Sequence, residues 1–88
     1  MTDAERAAKA QELLEPWILE QGRLIARRYG QDLKWGDWTE GGFFVRYAGK
    51  RVSVDVDRED LEDYSASDPN DQEEIRLRIR GTLEAALG

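Results

Sequence analysis

A chain of 88 residues with 40% apolar side chains, no cysteine and no histidine has room for one small core. It lacks disulfides, thiolate or imidazole metal ligands, a thiol nucleophile and the usual neutral-pH base. The formal net charge of −6 is unevenly placed: residues 55–74, DVDREDLEDYSASDPNDQEE, set ten carboxylates against Arg58 alone, while the rest of the chain holds nine acids and twelve bases.

The opening MTDAERAAKA lacks the apolar run of a signal peptide, and no stretch approaches the ~20 apolar residues of a membrane span. The expectation is a single small acidic domain over 1–88, soluble and cytoplasmic. Thr2 and Glu5 fit a capping box that starts a helix. Ala7, Ala10, Leu14, Trp17, Gln21, Leu24 and Arg28 then recur at three- and four-residue steps, and Leu13, Ile18 and Ile25 widen this stripe. Pro16 predicts a kink or two abutting helices near Glu15, the second ending at Gly30, with Arg27 and Arg28 complementing the dipole.

From Leu33 the period changes to two. LKWGDWTE reads as a strand, in which a bulge at Gly36 would return Trp35 and Trp38 to one face. Phe43, Val45 and Tyr47 and then Val52, Val54 and Val56 predict a hairpin turning at Gly49-Lys50. That turn pairs Tyr47 with Val52, Val45 with Val54 and Phe43 with Val56, and sets Phe44 and Arg46 on the opposite face. Arg58 to Tyr64 reads as one short helical turn. Asp68 then caps a last helix that opens on Pro69 and the acids 71, 73 and 74. IRLRIR at 75–80 alternates like a strand, but Ile75, Ile79, Leu83 and Ala86 form a helical stripe, and Glu74 stands four before Arg78. The predicted fold is α+β: a two-layer α-β-β-β-α domain whose three-stranded antiparallel sheet carries the N- and C-terminal helices on one face.

The acidic run invites a calcium loop, with Asp63, Ser65, Ser67, Asp71 and Glu74 at loop positions 1, 3, 5, 9 and 12. Asp68, however, occupies the position that needs glycine for the sharp turn. No metal or cofactor is predicted. Ser53, Ser65 and Ser67 lack a histidine partner, and there is no Walker loop or GxGxxG, so the chain does not read as an enzyme. The element order resembles that of double-stranded-RNA-binding domains, which grip phosphates with lysines opening their last helix. DPNDQEE stands in that place with the wrong sign, and no direct nucleic-acid binding is expected.

What remains is a non-enzymatic protein-binding module, an inhibitor or regulator of phage-like or toxin-neutralising character that engages a basic protein such as a nucleic-acid-binding enzyme. Its predicted partner-binding residues are Asp55, Asp57, Glu59, Asp60, Glu62 and Asp63, with Phe44, Arg46 and Trp35 as an aromatic and arginine patch. The alternative is a small structural subunit that forms a homodimer through its open sheet face.

Overall fold

The computed structural model describes residues 2–88, with the side chain of Trp35 outside the description. Helix α1 spans Asp3–Arg28 as one continuous element, so the two abutting helices anticipated at Pro16 do not occur. Proline removes one amide donor. On either side of it, Leu14 and Ile18 are almost wholly buried, and packing of that face holds the helix together across the gap. Thr2 caps it, its hydroxyl accepting from the Glu5 amide at 3.2 Å and donating to the Glu5 carboxylate at 3.1 Å. Tyr29 closes the other end, with the amides of Gly30 and Gln31 bonding back to the carbonyls of Arg27 and Ala26 at 3.1 and 2.9 Å. The buried stripe is narrower than the sequence implied, since Leu13 and Leu24 are 53% and 45% exposed.

Strands β1 (Leu33–Thr39), β2 (Gly42–Tyr47) and β3 (Lys50–Asp55) form an antiparallel sheet in that order. The register of β1 against β2 slips between Leu33 and Gly36, ahead of the bulge expected at Gly36, which itself pairs in register with Val45. Gly36 faces Val45, and a Cβ there would lie 2.4 Å from the Phe44 carbonyl oxygen and 2.6 Å from the Phe43 ring. Its lack of a side chain is what lets the Phe43 ring cross β1. The same ring meets Trp38 edge-on at 5.0 Å.

The hairpin between β2 and β3 departs from expectation by one turn residue. Its two-residue turn is Ala48-Gly49, both with positive φ (52° and 77°), so Tyr47 pairs with Lys50, Val45 with Val52 and Phe43 with Val54. Alanine seldom adopts this conformation, and the usual Asn-Gly signature is missing, which is why the sequence pointed to Gly49-Lys50 instead. Partners along β3 move by two residues, an even number, so the predicted faces survive.

Asp57 caps helix α2 (Arg58–Tyr64), and Asp68 caps helix α3 (Pro69–Leu87), accepting from the Asp71 amide at 2.9 Å. The stretch 75–80 is helical, burying Ile75 and Ile79 with Leu83 and Leu87. One core unites these residues with Ala10, Leu14, Ile18 and Ile25 of α1, Leu61 and Tyr64 of α2, and Phe43, Val45, Val54 and Val56 from the sheet side. The domain is two-layered, with the helices on one face of the sheet. On the other face Asp37, Arg46, Arg51, Ser53 and Asp55 are exposed. Among the described residues, no helix is long and apolar enough to cross a membrane.

Candidate protein-interaction surfaces

Because α2 turns Leu61 and Tyr64 inward, two of its four carboxylates are displayed along the outside. Glu59 and Asp63 are exposed, and Asp57 spends its carboxylate on the Glu59 amide at 3.0 Å. Asp60 is held in a two-pronged contact by Arg78 of α3, at 2.6 Å from Nη2 and 3.2 Å from Nε, and Glu62 accepts from Arg58 at 3.1 Å. The Arg78 guanidinium is held above its usual pKa first by the hydrogen bond to Asp60 and then by that carboxylate's charge. Desolvation works against the rise, and the charges of Glu74 and Asp57 add smaller contributions. Arg78 therefore clamps α2 to α3, whereas the sequence had matched it to Glu74. A contact spanning eighteen positions gives no local signal; a four-residue spacing does.

The connection between α2 and α3 is tied by its own hydrogen bonds. Ser67 donates to the Asp63 carbonyl at 2.7 Å, Gln72 to the Tyr64 carbonyl at 2.8 Å, and Arg76 to the Tyr64 hydroxyl at 2.9 Å. Among the described residues, no group of three or more acidic, cysteine or histidine side chains is arranged to hold a metal ion. A groove of about 410 Å³ between the end of β3, the start of α2 and α3 is lined by Asp55, Asp57, Asp60, Arg78, Ile79 and others.

Phe44 and Arg46 lie elsewhere. β2 places both on the sheet face away from the helices, where Arg51 stacks its guanidinium 4.1 Å from the centre of the half-buried Phe44 ring. The predicted set of nine is thus divided. Asp57 to Asp63 belong to the helix layer, Phe44 and Arg46 to the outer sheet face, and Asp55 to the β3 end between them. The prediction for the Trp35 side chain falls outside the described residues.

Two features escaped the sequence reading. Leu77 is 60% exposed on α3, one turn beyond Glu73 and Glu74; its offset from the Ile75-Ile79-Leu83 stripe was the available signal. Arg46 and Arg51 are direct cross-strand partners, which became visible only when the turn was placed at Ala48-Gly49. No family model, no curated protein and no solved structure matches the chain.

Proposed function

We propose that this domain is a non-enzymatic protein-binding module, an inhibitor or regulator that presents an acidic ridge to a basic surface on another protein, such as a nucleic-acid-binding enzyme. The observation that carries the reading is a surplus of outward carboxylates. Glu59 and Asp63 on α2, Asp71, Glu73 and Glu74 on α3, and Asp55 at the sheet end are exposed, and among the described residues none has an ion-pair partner. Capping accounts for Asp57 and Asp68, and the helix dipole favours Glu59 and Asp71 in the first turns of α2 and α3. Crowding the others costs stability through like-charge repulsion, and the return is steering of a cationic partner and fixing of its orientation. Leu77, exposed beside Glu73 and Glu74, supplies an apolar contact that charge alone lacks.

The homodimeric alternative finds less support. The outer sheet face bears Arg46 and Arg51, neither with an ion-pair partner among the described residues, and stacking two such faces with strands running the same way sets those cations against each other.

Capture from a native-host lysate, followed by mass spectrometry, tests the proposal. The wild type should retain basic proteins that Glu59→Gln/Asp63→Asn/Glu73→Gln releases, and added salt should release them too. Retention of the same proteins by both forms at all salt concentrations would defeat it.

A further inference from the structure

The uncovered face carries a second, oppositely charged feature. Arg46 of β2 stands directly opposite Arg51 of β3, and Lys34 of β1 lines the same depression as Arg46. Three cations thus come one from each strand, Arg46 and Arg51 as cross-strand partners and Lys34 beside Arg46 at the depression. Among the described residues, none has a carboxylate within ion-pair distance. Like charges directly across a strand pair are destabilising, and a chain of net charge −6 has carboxylates in excess. Yet the neighbouring rows place Asp37 beside Phe44 and Asp55 beside Gly42, and Asp32, which lines the same depression as Lys34 and Arg46, pairs with none of the three.

Beside this row opens a depression of about 590 Å³, lined by Gly30, Gln31, Asp32, Lys34, Arg46 and the Ala48-Gly49 turn. That volume suits a small ligand. With strands roughly 4.8 Å apart, the three cations span about 10 Å, the length of a short phosphate chain. Arginine forks match phosphate oxygens in a bidentate way, and lysine adds a point charge. We propose that the outer sheet face binds a small phosphate-bearing anion at Lys34 and Arg46, with Arg51 completing the row.

Two observations favour a small anion over a nucleic-acid strand. An extended strand leaving the row in one direction meets Asp37 and Asp55 on the same face. Its many charges also feel the field of the whole acidic chain, whereas a small ion responds to the charges within a Debye length of about 8 Å. Asp32 and Gln31 at the rim offer acceptors to sugar hydroxyls, so a phosphorylated sugar such as a nucleotide uses the lining more fully than inorganic phosphate does.

The test is titration of the full chain with ADP and, separately, with pyrophosphate, followed by amide NMR at low salt. Saturable shifts confined to residues 30–34 and 46–51 are expected with both probes. Tighter binding of ADP would assign the sugar contacts, and equal binding would restrict the site to phosphate. Lys34→Gln/Arg46→Gln should weaken binding about tenfold or more, while Glu59→Gln/Asp63→Asn should leave it unchanged. If the double glutamine variant loses its native spectrum, the single variants Lys34→Gln and Arg46→Gln replace it, each with a smaller loss expected. The proposal is overturned by shifts that do not saturate, by binding indifferent to the sheet substitutions, or by an oligonucleotide or acidic peptide occupying the row more tightly than either probe.

Discussion

At the scale of single residues, two positions show how backbone geometry decides what side chains can do. The spacing of the tryptophans marked Gly36 as the site of a bulge, and the register slip falls just before it, between Leu33 and Gly36. The other role of Gly36, leaving room for the Phe43 ring, depends on which strand lies alongside and has no local signature. Gly36→Ala should cost roughly 1–3 kcal/mol, because the Phe44 carbonyl and the Phe43 ring stand where the methyl would go; urea unfolding measures it as a lower midpoint with an unchanged slope. Ala48 is the converse case. With φ of 52° it holds a left-handed conformation that alanine resists, next to Gly49 in the same region. Ala48→Asn supplies the residue pair that this turn favours and should stabilise by about 0.5–1 kcal/mol. A midpoint that falls instead would mean that the Ala48 methyl makes contacts worth more than the strain it bears.

At the scale of elements, the helix starts were legible because caps are local: Thr2 and Asp68 bond amides three residues on. What joins one helix to another was not. The sequence offered Glu74 to Arg78, and the fold uses Asp60. Asp60→Asn should therefore loosen α2, seen as faster hydrogen exchange at its amides than at those of α1, whereas Glu74→Gln should change little. Equal effects from the two substitutions would return the clamp to the local pair. The raised pKa of Arg78 introduces no pH dependence of its own in the working range. A cation with a raised folded-state pKa stabilises fully below its unfolded value and loses that contribution only as pH climbs through the folded one, which for a guanidinium lies above any ordinary buffer.

At the scale of the whole molecule, the sheet separates two surfaces of opposite character. Alternation in β2 and β3 was enough to place Phe43, Val45 and Val54 inside and Phe44 and Arg46 outside, because a two-residue slip leaves the faces unchanged. The sequence could not tell that the acids of α2 would lie in the other layer, since the direction in which the chain leaves β3 is set by how Leu61 and Tyr64 find the core. Phe44→Asp probes this division. Half-buried under Arg51, Phe44 gives up only part of the apolar burial of a core phenylalanine, about 1 kcal/mol, so the variant should fold. The new carboxylate, beside Arg46 and Arg51, should weaken phosphate binding at the cation row and leave capture of basic proteins by the acidic ridge intact. Light scattering supplies the remaining discrimination. If the sheet face joins two copies, the wild type scatters at twice its 10.1 kDa and the variant at half that value; an unchanged monomer mass in both leaves this face to a ligand. Unfolding of the variant would count against the whole arrangement, because it would put Phe44 in the core and turn every residue of the hairpin to the opposite face.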